Sequence, residues 1–200
     1  MNLNEKKDRL SYAVGVQIGG NLIQSGFEGM DTDVLKEGIA DVIEKNDLKM
    51  SPEEITETIN KSFEEFKAKA ESENAEAGKK FLEENKEKEG VVETASGLQY
   101  KVITEGQGEK PGASDFVTTH YEGKTIDGKI FDSSYKRNEP ANFPVNGVIA
   151  GWTEALQLMS VGSTYELYIP SELAYGKQGA GADIAPNSTL IFKVELLAVN

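Results

Sequence analysis

Apolar positions recur along this chain with two different periods, and the change falls near residue 95. Upstream, Leu10, Ala13, Val14, Gln17, Ile18 and Leu22 keep the i, i+3, i+4, i+7 spacing of an amphipathic helix and predict one over about residues 4–25. Tyr12, Val16 and Ile23 lie on another face of that helix, so burying one stripe leaves the other wet. Gly15 and Gly19 either admit a close helical neighbour or loosen the helix, since each glycine costs about 1 kcal/mol against alanine. A second helix is predicted from about Thr32 to Asn46, capped by Asp31 or Thr32, with Leu35, Ile39, Val42 and Ile43 as its stripe.

The third helix has the clearest start. Ser51-Pro52-Glu53-Glu54 places serine at the N-cap, proline in the first turn and glutamate where it can reach back, which is a capping box. The helical pattern then continues to Gly90, a length of roughly 55–60 Å at 1.5 Å per residue. Ile55, Ile59, Phe63 and Phe66 form a stripe near its start, and Phe81 and Leu82 lie near its end. Residues 71–80 carry nothing larger than alanine to bury. A helix polar all round bridges two bodies through solvent, so this stretch predicts a stalk; the alternative is two shorter helices broken near Gly78. The few residues left to the helical part make a thin core, which self-association would repair, and a symmetric dimer is the commonest arrangement.

From Ser96 the period becomes two. Leu98, Tyr100 and Val102 alternate, Phe116 to Tyr121 is β-branched and aromatic, and Tyr165, Leu167 and Ile169 alternate up to Pro170. Leu190, Phe192, Val194 and Leu196 do the same near the C-terminus, and Asp127-Gly128 between two short runs predicts a hairpin with a type I′ turn. One short helix fits about Trp152 to Met159. The expected fold is α+β: an all-α N-terminal region over residues 1–50, a stalk helix over 51–90, and over 91–200 a curved antiparallel sheet of about five strands wrapped over one short helix.

Composition follows the same division. Residues 1–95 hold 13 Lys/Arg against 22 Asp/Glu, and 11 of the 16 aromatic residues and five of the six prolines lie beyond them. A net charge of −13 argues against nucleic acid as a partner, because such binding needs phosphate-neutralising cations. No run of about 18 apolar residues predicts a membrane span, and the charged N-terminus does not read as a signal peptide as it stands. Periplasmic residence stays open if a signal peptide has been removed.

The candidate chemistry is narrow. There is no cysteine and one histidine, His120, so neither a histidine-based metal cluster nor a Ser-His-Asp triad is available. Gly176 to Gly181 resembles a phosphate loop but lacks the Gly-Lys-Ser/Thr ending, and reads as a flap. Val148-Ile149-Ala150-Gly151-Trp152, with the only tryptophan, gathers with Phe131-Asp132 and Tyr175-Gly176 into a site that works by shape and dryness, without cofactor or metal.

These motifs carry a resemblance. His120-Tyr121-Glu122-Gly123, Asp127 to Ser134, Val148 to Trp152, Ile169 to Gly176 and Pro186 to Leu197 are similar, in order, to the motifs of FKBP-type peptidyl-prolyl cis-trans isomerases, over about residues 95–200. The helical part resembles the macrophage-infectivity-potentiator-like bacterial subfamily, whose members are V-shaped homodimers joined through N-terminal helices; within it the resemblance is to the cytoplasmic form of about this length, which implies a cytoplasmic protein. The resemblance implies a prolyl isomerase that accelerates proline-limited folding, with client binding by the N-terminal dimer; the alternative is a chaperone or binding module whose isomerase activity is incidental. It implies Trp152 as the pocket floor and Tyr121, Phe131, Val148, Ile149, Tyr175 and Phe192 as walls, with Phe143 and Ile184 contributing, Asp132 and Tyr175 as polar groups at the rim and the Ile149 N–H as donor to the substrate carbonyl. It implies unfolded or partly folded proline-containing polypeptides as substrates, macrolides such as rapamycin as inhibitors, and no membrane or nucleic-acid partner. The flap departs from the family in Ala180-Gly181 and in Asp183, positions that bear on substrate preference and macrolide affinity.

Overall fold

In the computed structural model residues 2–27, 29–181 and 183–200 are described. The chain divides into two compact units, Met1–Lys69 and Ala70–Asn200. The first holds α1 (Lys6–Gln24), α2 (Thr32–Glu44) and the beginning of α3 (Pro52–Asn85). Asp31 is the cap of α2: its carboxylate accepts from the Asp33 N–H at 2.9 Å and the Val34 N–H at 3.2 Å. The helix stops at Lys45, which turns left-handed at φ 59°, so it ends at Glu44 instead of Asn46. The predicted capping box of α3 forms, with the Ser51 N–H donating to Glu54 Oε2 at 2.7 Å and the Glu54 N–H donating to Ser51 Oγ at 3.2 Å. Phe27 meets Phe66 edge to face at 5.9 Å. Much apolar surface stays uncovered: Leu10, Ile23, Val34, Val42 and Ile43 are 63–74% exposed.

The expected continuous helix is found, running unbroken through Gly78, but residues 71–80 are not a solvated bridge. Gly78 is buried against Thr189; a Cβ there would lie 2.3 Å from Thr189 Oγ1, so glycine is what lets the helix lie this close. Asn74 Nδ2 donates to the Pro186 carbonyl at 2.9 Å, Asn187 Nδ2 donates to the Glu71 carbonyl at 3.1 Å, and Phe81 packs on Tyr168 at 6.0 Å. The unit boundary accordingly falls inside the helix, at Lys69/Ala70, and its second half belongs to the sheet unit. The helix ends at Asn85, five residues before Gly90, because Asn85 is fully buried with Nδ2 donating to Gln99 Oε1 at 3.0 Å, and the chain turns there to enter the sheet.

The described residues of the second unit form seven antiparallel strands: β1 (Val91–Glu93), β2 (Gln99–Thr104), β3 (Phe116–Thr125), β4 (Ile130–Ser133), β5 (Ala141–Pro144), β6 (Thr164–Ile169) and β7 (Leu190–Val199). Their order is β1-β2-β6-β7-β3-β4, with β5 also paired to β3. The count exceeds the expected five because β1 and β5 span three and four residues, too few to display a period. The β3–β4 turn also differs. Asp127 does not have positive φ, whereas Gly128 does at 89°, and the Thr125 N–H donates to the Lys129 carbonyl at 3.0 Å. That is a three-residue loop with a left-handed glycine and a register shift beside it, not type I′. The strands' alternating residues Leu98, Val117, Leu167, Ile169, Leu190, Val194 and Leu196 are fully buried in one core with Trp152, Ala155 and Leu156 of α5 (Ala150–Leu158).

Candidate active site

Strand β3 divides its outer edge. It pairs with β5 over Phe116–Thr119 and with β4 over Glu122–Lys124, which leaves His120 and Tyr121 in the gap. An unpaired buried backbone group is costly, and here Ser134 replaces the missing strand. Its Oγ accepts from the Tyr121 N–H at 2.7 Å and donates to the Tyr121 carbonyl at 3.2 Å. Ser134 opens α4 (Ser134–Arg137), one turn capped by Ser133 and ended by Asn138 in the left-handed conformation at φ 53°. The single histidine is structural in its contacts: His120 Nδ1 lies 2.9 Å from Ser134 Oγ and its ring stacks on Tyr135 at 4.8 Å.

That short helix delivers Arg137 to the rim. Arg137 Nη1 donates to Asp132 Oδ1, Nη2 donates to the Tyr121 hydroxyl at 3.0 Å, and that hydroxyl donates to Asp132 Oδ2. The guanidinium also sits 5.8 Å from the Tyr121 ring centroid. Burial pushes the Asp132 carboxyl up, but the Tyr121 hydroxyl and the Arg137 guanidinium outweigh it and hold the pKa below the ordinary value. Burial, followed by the Asp132 hydrogen bond, raises the Tyr121 phenol. At neutral pH this is a carboxylate, a phenol and a guanidinium locked together, with both carboxylate oxygens engaged.

Behind the rim the site is aromatic. Trp152, 4% exposed, is met edge to face by Tyr121 at 5.3 Å, Phe192 at 5.4 Å and Phe143 at 5.8 Å. Phe131 meets Phe192 at 5.5 Å. Both rings need Gly123 opposite them, where a Cβ would sit 2.6 Å from each. Ile149 precedes α5, and its carbonyl accepts from the Trp152 and Thr153 N–H groups at 2.9 and 3.0 Å. Among the described residues nothing accepts from the Ile149 N–H. The flap closes the other side: Ala180 and Ile184 exchange backbone hydrogen bonds of 2.8 and 3.1 Å, leaving Ile184 buried and Tyr175 40% exposed.

The resulting cavity, of about 520 Å³, is lined by Tyr121, Phe131, Asp132, Phe143, Gly147, Val148, Ile149, Trp152, Tyr175, Ile184 and Phe192. All ten residues singled out in the sequence are therefore brought to one place. Arg137 was missed. Its only signal was Asn138, a residue type that tolerates the left-handed conformation and so can end a helical turn just after it. Among the described residues no group of three or more His, Cys, Asp or Glu could hold a metal.

Residues 107–197 match the family model described as FKBP-type peptidyl-prolyl cis-trans isomerase, and residues 7–102 match the domain amino-terminal to it. The chain is 50% identical over 196 residues to the FKBP-type 22 kDa peptidyl-prolyl cis-trans isomerase of Escherichia coli K12, covering 94% of this chain and 93% of that one. The chain belongs to the FKBP-type peptidyl-prolyl cis-trans isomerases. A second relative in this family is the outer membrane protein MIP of Legionella longbeachae, 45% identical, with 99% of this chain and 88% of that protein covered. The crystal structure of FkpA from Escherichia coli superposes with a TM-score of 0.73 at 38% identity over 98% of this chain and 97% of that one. The FKBP-type fold expected from the motifs, helices followed by an antiparallel sheet over a short helix, is the fold found.

Proposed function

We propose that this chain binds X–Pro segments in the cavity floored by Trp152, rotates their peptide bond there, and uses a dimer of its helical unit to hold folding clients. The observation that carries the first part is the convergence of the ten motif residues on one apolar cavity with a charged rim. Rotation about an X–Pro bond meets a barrier of about 18–20 kcal/mol, because twisting breaks amide resonance. The planar amide is the more charge-separated form, so removing its water disfavours it relative to the twisted one. The ring box around Trp152 supplies the dry surface. The Ile149 N–H, which has no acceptor among the described residues, is in this reading the donor to the substrate carbonyl. Each ~1.4 kcal/mol of such differential stabilisation is worth about tenfold in rate.

Asp132 takes a different part from a free rim carboxylate. With both oxygens engaged it fixes the Tyr121 hydroxyl, and the Arg137 guanidinium offsets its charge at the mouth. Tyr175, partly exposed on the opposite side, is the rim group free to follow the substrate. Macrolides such as rapamycin belong to the same cavity, and because Trp152 is the sole tryptophan, its emission reports their binding directly.

The dimer is supported by the exposed stripes of the helical unit. Met30, Val34, Leu35, Ile39, Val42 and Ile43 line an apolar groove of about 640 Å³ on α2, and Leu10, Val16 and Ile23 are open on α1. Contiguous apolar surface of this kind marks an association face. Sedimentation of the chain should give a dimer, and Val42→Glu with Ile43→Glu a monomer; a monomer before substitution sinks that part. Refolding of a proline-limited protein tests the rest. Acceleration by the intact chain, lost in Tyr175→Ala and Asp132→Ala variants that stay folded, is expected. Unchanged rates in both variants would remove the pocket assignment.

A further inference from the structure

The flap that carries one wall of the cavity has little structure of its own. Between Gly176 and Thr189 the described residues contain one short 3-10 turn and one isolated bridge, with Gly176, Gly179, Gly181 and Asn187 at positive φ. Such a segment samples several conformations unless something outside it fixes one. Two candidates do so. The Lys129–Asp183 ion pair, at 2.9 Å, has both side chains 56% exposed, and a pair of that kind holds little. The other tie is reciprocal and partly buried. Asn74 Nδ2 of α3 donates to the Pro186 carbonyl at 2.9 Å, while Asn187 Nδ2 donates back to the Glu71 carbonyl of α3 at 3.1 Å. Glu71 and Asn74 are one helical turn apart and so share a face.

The tie reaches the cavity from both of its ends. Pro186 lies two residues after Ile184, which lines the wall. Asn187 donates its own backbone N–H to the Gly176 carbonyl at 2.8 Å, next to Tyr175 at the rim. Gly78, one turn beyond Asn74, lets the helix come close enough for both amides to reach. We propose that Asn74 and Asn187 are positioning residues of the isomerase site, and that through them the second half of α3 sets where Ile184 and Tyr175 stand against the substrate. A helix outside the catalytic sheet thereby becomes part of what determines substrate fit. Catalysis by shape has no reactive group to tolerate a loose wall, and small displacements of positioning groups are costly in rate.

The inference rests on the pocket assignment above, and the test separates the two. In the full chain, Asn74→Ala removes one amide; Asn187→Gly removes the other while keeping the left-handed backbone at φ 55°. Peptides differing in the residue next to proline are assayed for kcat and KM, and acrylamide quenching of Trp152 reports the openness of the cavity. Each variant should lose about three- to tenfold in kcat/KM, the equivalent of one ordinary hydrogen bond. The loss should be unequal across the peptides and accompanied by stronger quenching, and Asn74→Gln, which keeps the donor, should recover part of it. Gln99→Ala serves as comparison: it loosens the same helix at its far end, where Gln99 Nε2 donates to the Leu82 carbonyl at 2.9 Å, without touching the flap. If Gln99→Ala costs as much activity as the clasp variants at equal loss of melting temperature, or if the clasp variants keep wild-type kcat/KM and quenching, the proposal is overturned. In either case loss of rate in Tyr175→Ala and Asp132→Ala still decides the pocket assignment by itself.

Discussion

The Tyr121 hydroxyl donates to Asp132 Oδ2 across the β3–β4 ladder, on the same side as the Arg137 guanidinium that grips the other carboxylate oxygen. The pair makes Tyr121 a hinge between two halves of the site, since its ring is also an edge-to-face partner of Trp152. Tyr121→Phe keeps the ring box and removes the hydroxyl. We expect a folded protein with kcat/KM reduced about three- to tenfold, in keeping with one hydrogen bond to a partly exposed charge. Peptide isomerisation rates beside a near-ultraviolet circular dichroism spectrum check both halves of that expectation.

The acid limb of the pH profile follows from the depressed pKa of Asp132. A carboxyl whose folded pKa lies below its unfolded value contributes stability that is present above the unfolded pKa and is lost as pH falls through the folded one. The ordinary value is 3.8 and Asp132 lies below it, so activity and Trp152 emission should show no inflection from this group between neutrality and pH 3.8. Arg137→Lys cannot hold carboxylate and phenol together in a planar fork, and should move the Asp132 inflection upward. A fluorescence-monitored acid titration of both proteins reads the shift, and coincident curves would remove Arg137 from the account.

Much of this was legible in the sequence because long alternating strands and ordered aromatic motifs have strong periods: Leu190 to Leu196 and Tyr165 to Ile169 fall on the core face as read. Features without a period were not legible. β5 carries Phe143 to the cavity in four residues, and Arg137 is placed by a single helical turn, capped by the Ser133 side chain and closed by Asn138, that is too short to display a period. The polar middle of α3 misled for a related reason. Its contacts are made by a glycine, two asparagines and main-chain carbonyls, none of which registers as hydrophobic, so a docked face looked like a solvated one.

That face yields a stability prediction against propensity. Gly78→Ala should favour the helix by up to about 1 kcal/mol in isolation, yet its methyl would sit 2.3 Å from Thr189 Oγ1. Overpacking of a close contact costs about 1–3 kcal/mol, so the variant should melt below the wild type. Thr189→Ala in the same chain removes the clashing oxygen and should restore most of the loss. If the single variant instead melts higher, the helix is not held where the contact requires.

Trp152 separates ring area from hydrogen bonding. Its Nε1 is buried and, among the described residues, finds no acceptor, so the indole stands here for its shape and its three edge-to-face partners. An unpaired buried donor is itself a cost, and replacing it by carbon can be nearly neutral. Trp152→Phe should then cost only the lost ring area, under about 2 kcal/mol, whereas Trp152→Ala opens a cavity worth about 3–5 kcal/mol. Activity should separate more widely than stability does. The smaller ring lowers the floor and admits water beside the amide, which weakens the desolvation that drives the twist, so Trp152→Phe is expected to keep the fold and lose most of its rate. Chemical denaturation and isomerase assays of the two variants measure the two effects. Wild-type kcat/KM in a stable Trp152→Phe protein would move the floor of the site elsewhere.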